Sequence, residues 1–148
     1  MNDRTYVYDI HIATMPEKLW QALTDNAFIQ QYWGGEWLMD SDWKTGSPLT
    51  YRSRDGSFFS EGKILESNPP EKLSYTWPNP PDEQGDMPPE ILTWEITSSG
   101  PGTVMLKLTH GRLTEESYQR VGRGWPAIIS SMKSLLEGGK TLAFHTKS

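Results

Sequence analysis

The sequence has no cysteine, which excludes disulfides, thiolate metal ligands and cysteine nucleophiles. It has no Gly-x-Ser-x-Gly elbow, so it lacks the strained turn that exposes a serine nucleophile. Gly122-Arg123-Gly124 is not followed by the lysine and hydroxyl of a phosphate loop. No apolar run approaches the roughly 18 to 20 residues of a membrane span. The opening MNDRTYVYDIHI lacks the continuous apolar region of a signal peptide, so a cytoplasmic protein is expected. Positive charge is also scarce. The net charge is −5, which leaves no electrostatic footprint for nucleic acid. The three histidines, His11, His110 and His145, are far apart in the chain. None has a second ligand at i, i+4, so neither a metal site nor a cofactor is expected.

Aromatic residues are plentiful. The 148 residues include seven Trp, six Tyr and four Phe, although the hydrophobic fraction is only 35%. That length suits one domain, residues 1–148, with a sizeable core. Tyr6, Tyr8, Ile10 and Ile12 alternate with Val7, Asp9 and His11, which predicts a strand with its even-numbered side inward. Thr14 is a candidate N-cap for a helix from Pro16 to Thr24, with Leu19, Trp20 and Leu23 as its buried stripe. Asp25-Asn26 breaks that helix and caps a second, Ala27 to Tyr32, which Trp33-Gly34-Gly35 ends. Strands are expected at Glu36–Asp40, Ser47–Arg54 and Phe58–Ser67. Asp55-Gly56 forms the tight turn, and Gly62 marks a bulge or close backbone approach. Leu73, Tyr75 and Trp77 alternate on the next strand.

Pro78 to Glu90 holds five prolines and four acidic residues, so it reads as an irregular hairpin tip. Strands follow at Ile91–Thr97, with Leu92, Trp94 and Ile96 inward, and at Thr103–His110, with Val104, Leu106, Leu108 and His110 inward. Short connections of this kind imply an antiparallel sheet. Thr114 can cap a last helix, Glu115 to Gly138. Its stripe is Trp125, Ile128, Ile129, Met132, Leu135 and Leu136. Pro126, with Gly122 and Gly124 nearby, predicts a kink or break that would set Tyr118 on a separable segment. Glu116 and Arg120 read as an i, i+4 ion pair on a solvated face. Asp40 and Asp42 read as solvated turn carboxylates.

Four stretches carry a family resemblance. They are MPEKLWQALTDNAFIQQYWG from Met15, GKILESNPPEKLSYTW from Gly62, the Trp94 strand through Gly102-Thr103 to Leu108-Thr109-His110, and Gly124-Trp125 followed by Met132, Lys133, Leu135, Leu136 and Glu137. Together they resemble the bacterial single-domain relatives of the C-terminal domain of the Hsp90-ATPase activator Aha1, within the START/Bet v 1-like (SRPBCC) superfamily. The resemblance implies an α+β helix-grip fold. A curved antiparallel sheet of about six to seven strands wraps around the long C-terminal helix, and two short helices follow strand 1. Family members span hydrophobic-ligand binding, polyketide cyclase or aromatase chemistry, and co-chaperone roles linked to stress response.

A cavity between sheet and helix would be lined by Tyr51, Tyr75, Trp77, Trp94, Leu106 and His110 with Ile128, Ile129 and Met132. Trp33, Trp37 and Tyr118 would lie near its entrance. Aromatics with polar tips suit a small hydrophobic or aromatic partner: a lipid, polyketide or polyphenol-like molecule. The plainer reading is that these side chains only pack. His110 is the titratable residue that parity turns inward. It would serve as acid or base in a cyclase-like alternative, with Tyr51 or Tyr75 as donor. Its plainer role is a satisfied strand-end histidine, since no partner carboxylate is identifiable. Binding is expected rather than catalysis, in a monomer or weak homodimer. The co-chaperone role is disfavoured because the chain begins directly with the first strand.

Overall fold

A computed structural model describes residues 4–33, 37–53, 55–77 and 89–141, with Trp37 described by its backbone alone. Seven strands form one curved antiparallel sheet in the order β1-β7-β6-β5-β4-β3-β2. They are β1 (Arg4–Ile12), β2 (Trp37–Asp40), β3 (Pro48–Ser53), β4 (Phe58–Asn68), β5 (Lys72–Trp77), β6 (Glu90–Gly100) and β7 (Thr103–Leu113). Two short helices, α1 (Pro16–Thr24) and α2 (Asn26–Tyr32), separate β1 from β2, and the long helix α3 (Glu115–Gly138) closes the chain. This is the helix-grip arrangement expected from the sequence. Most of the hairpin tip from Pro78, together with His145, lies outside the described residues.

Alternation decides which side of each strand is covered. In β6 and β7 the buried residues are Glu90, Leu92, Trp94 and Ile96, then Val104, Leu106, Leu108 and His110. A period of two puts all of them on one face, and α3 lays Trp125, Ile129, Met132 and Leu135 in the same core. His11 sits on the exposed side of β1.

Three local expectations are corrected. The N-cap of α1 is Met15, not Thr14, and it makes no side-chain cap bond. Pro16 begins the first helical turn, so one of the amides that a helix start leaves unpaired is absent. Secondly, Glu116 and Arg120 form no ion pair: Glu115 pairs with Arg4, and the Arg120 guanidinium turns to the Ser117 hydroxyl at 3.2 Å.

Thirdly, α3 does not break. It runs as one helix from Glu115 to Gly138 with Pro126 inside it. The Thr114 hydroxyl caps it by accepting from the Ser117 amide at 3.0 Å. Gly139 ends it with φ 79°, a left-handed turn that glycine adopts without penalty. An interior proline costs about 3 kcal/mol. Burying large apolar side chains contributes roughly 1.5–3 kcal/mol each, and Trp125, immediately before the proline, and Ile129 and Met132 after it are all buried. Packing therefore outweighs the local defect. Tyr118 belongs to this continuous helix, edge-on to the Tyr6 ring at 6.2 Å.

Gly62 marks a close approach of β4 to β5. A Cβ there would lie 2.3 Å from the Thr76 hydroxyl and 3.1 Å from the Thr76 carbonyl oxygen. That hydroxyl accepts from the Lys63 amide at 2.9 Å, and the same carbonyl accepts from the Tyr51 hydroxyl at 2.7 Å. Overpacking of this kind costs about 1–3 kcal/mol. Gly62→Ala should lower the urea midpoint correspondingly with an unchanged m-value, and a loss below about 0.5 kcal/mol would contradict the close approach.

Candidate functional site

The register of the central strands assembles a polar chain inside the aromatic core. Trp77 pairs with Glu90 and Tyr75 with Leu92 across β5 and β6, while Leu92 pairs with His110 across β6 and β7. Glu90 and His110 are therefore diagonal neighbours on the inner face, within reach of long side chains. His110 is fully buried, and Glu90 is 7% exposed. The His110 Nε2 lies 2.8 Å from Glu90 Oε1, and the Trp125 indole N–H donates to His110 Nδ1 at 3.0 Å. An indole N–H only donates, so Nδ1 is the acceptor and carries no proton. The ring proton is then on Nε2 and is donated to the carboxylate. The chain Trp125 to His110 to Glu90 has one direction and fixes one tautomer.

Around it the rings pack closely. Trp125 contacts Trp33 at 5.5 Å, Trp77 at 5.4 Å and Trp94 at 5.5 Å between centroids, and Trp33 stacks on Trp77 at 6.1 Å. These separations lie in the favourable range for offset and edge-to-face pairs. Beside this cluster is a cavity of about 190 Å³, lined by Trp33, Trp77, Arg120, Val121, Gly124, Trp125 and Ile128. Trp33 reaches it from the C-terminal end of α2, Trp77 from the end of β5, and the other five from the middle of α3. Gly124 forms wall with no side chain.

Of the residues that the sequence offered as a ligand lining, Trp77 and Ile128 border this cavity. Tyr51, Tyr75, Trp94, Leu106, His110, Ile129 and Met132 are buried in the surrounding core. Tyr118 packs against Tyr6 on β1. Tyr75 accepts from the Trp94 indole N–H at 3.0 Å. Burial pushes the phenols of Tyr32, Tyr51 and Tyr75 above their ordinary range, and the neighbouring Tyr75 adds to the rise at Tyr32 and Tyr51. The hydrogen bond from Trp94 partly opposes the rise at Tyr75. Sequence reasoning missed Glu90, yet its signal was present: position 90 has the parity of 92, 94 and 96. The flanking prolines assigned it to the tip instead. Arg120 was missed as a wall of the cavity because its i, i+4 neighbour was taken as its partner.

A family model for the activator of Hsp90 ATPase homolog 1-like protein matches residues 13–137. The chain belongs to this family. No curated protein matches it. A solved structure from Cytophaga hutchinsonii is 26% identical with a TM-score of 0.77, covering 94% of this chain and 98% of that one. The Aha1 dimer from Colwellia psychrerythraea is 20% identical with a TM-score of 0.71, covering 93% of this chain and 98% of that one. An HSP90 activator from Plasmodium falciparum is 22% identical with a TM-score of 0.67, covering 82% and 86%. The last two likenesses concern the fold. The family and the helix-grip architecture agree with the resemblance read from the four sequence stretches. Among the described residues no helix is long and apolar enough to cross a membrane.

The polar chain makes an asymmetric prediction at Glu90. Glu90→Gln retains an acceptor for the His110 N–H and should cost less than about 1 kcal/mol. Glu90→Leu strands a buried donor and should cost about 1–3 kcal/mol. Equal costs in urea unfolding would contradict a hydrogen bond from His110 to position 90. The buried phenols predict an alkaline limit. Their raised folded-state values mean that their contribution is fully present below about pH 10 and is lost as pH rises above it. The unfolding midpoint should fall beyond that point, and Tyr51→Phe combined with Tyr75→Phe should flatten the fall. An unchanged slope in the double variant would contradict it.

Proposed function

We propose that the protein binds a small aromatic or apolar molecule in the cavity walled by Trp33, Trp77 and Trp125. The observation that carries this reading is the cavity itself: about 190 Å³ of space beside three tryptophan rings and Ile128. An apolar cavity of about 150 Å³ is enough to hold benzene. The volume therefore supports the small end of the expected ligands, one ring with a modest substituent. Sites for drug-sized molecules run to about 300–1,000 Å³, so an extended lipid, polyketide or polyphenol would need more room than these walls leave.

Binding rather than turnover is what the chemistry of the site supports. A general acid or base needs hydrogen-bond reach to its substrate. His110 has one nitrogen engaged by Trp125 and the other by Glu90, and it is fully buried. A cyclase-like role for His110 would require that chain to open. In the closed chain the histidine instead holds the Trp125 ring in place, so that its face forms wall.

Titration with toluene, followed by amide and indole N–H resonances, tests the reading. Shifts should centre on Trp33, Trp77, Gly124, Trp125 and Ile128. Ile128→Trp should fill the space and weaken binding by at least about tenfold. An absence of shifts at these positions, or shifts confined to the outer face of the sheet, would count against the site.

A further inference from the structure

We infer that the occupant of this cavity is a single-ring aromatic carboxylate, its ring against the tryptophans and its anion on Arg120. This rests on the binding reading above and adds the charge of the ligand to it. The walls alone do not select a sign, because tryptophan faces also attract cations such as quaternary ammonium groups. Arg120 breaks the tie. It borders the same cavity as Trp33, Trp77 and Trp125, and its guanidinium repels a cation placed there.

The guanidinium is also available. It has five N–H donors in a planar fork. One hydrogen bond is described for it, to the Ser117 hydroxyl at 3.2 Å. Among the described residues no carboxylate pairs with it, whereas Arg4 and Arg52 each have an acidic partner. The sequence offered Glu116 one turn away, and the structure leaves that pairing unmade. An unpaired arginine at the edge of an aromatic cavity suits a carboxylate, whose two oxygens match the fork.

Size supports the same class. About 150 Å³ holds one benzene ring, so about 190 Å³ leaves room for a ring and a carboxylate. The three tryptophan centroids lie 5.4 to 6.1 Å apart. They therefore pack on one another as a continuous wall, which takes a ring against one side rather than sandwiched between two of them.

The test is calorimetric or NMR titration of the full chain with benzoate, benzamide, benzylamine and toluene at low salt. Benzoate should bind about three- to tenfold more tightly than benzamide, a modest gain because Arg120 lies at the solvent edge. The gain should shrink as salt is raised. Arg120→Gln should abolish the benzoate preference, and Arg120→Lys should restore part of it. Equal affinity for benzoate and benzamide, or a preference that survives in Arg120→Gln, overturns the charge assignment. Tighter binding of benzylamine than of benzoate also overturns it. In each of these cases toluene still binds and the cavity reading stands. If toluene and benzoate both fail to bind, the cavity reading falls with it.

Discussion

The fold depends on satisfying one indole N–H in its interior. Trp125 is the largest apolar residue that the long helix presents to the sheet, and its ring must be buried for the helix to be gripped. Burying the ring also buries a donor, and an unsatisfied buried donor costs about 1–3 kcal/mol. His110 removes that cost by accepting at 3.0 Å, and Glu90 removes the next one by accepting from His110. Each step moves the unsatisfied polarity closer to the edge of the core, where Glu90 retains slight exposure. Three residues from β6, β7 and the helix are thereby locked in one relative geometry, more specific than apolar packing alone would give.

The same geometry explains how a cavity and a continuous helix coexist. Trp125 is fixed by its N–H, so its ring does not collapse into the space beside Gly124 and Ile128. Gly124 adds no side chain to fill that space, and Trp33 and Trp77, which wall the same space, pack against the ring. Pro126 follows directly, within an unbroken helix. The proline weakens the backbone beside Trp125, which packs against three other tryptophan rings, and the helix runs through it. The site is thus built on helix, strand end and helix cap, all held by packing.

Much of this was legible in the sequence, because period-two and period-3.6 patterns report burial directly. The inward parity of Leu92, Trp94, Ile96 and His110 follows from alternation. So do the membership of Trp125, Ile129 and Met132 in one helical stripe and the special status of Gly62. What was not legible depends on competition between local and long-range terms. The proline rule foresaw a kink or break at Pro126, and the break is absent, because that rule carries no information about how much apolar area is buried on either side. The i, i+4 rule paired Arg120 with Glu116, whereas the glutamate next to it pairs with Arg4 on a distant strand. Glu90 was assigned to the hairpin tip because Pro88 and Pro89 precede it, although its parity already placed it inside. The cavity depends on Trp33 and Trp77, which are separated by much of the sheet. No local pattern announces their stacking.

The account is tested most directly by a crystal structure of the protein with 3-bromobenzoate, located by the anomalous signal of its bromine. The account predicts a bromine peak in the cavity beside Trp33, Trp77 and Trp125, with the carboxylate turned to Arg120. Bromine bound elsewhere on the molecule, or a cavity closed by rotation of Trp77 or Trp125 at saturating ligand, would contradict it.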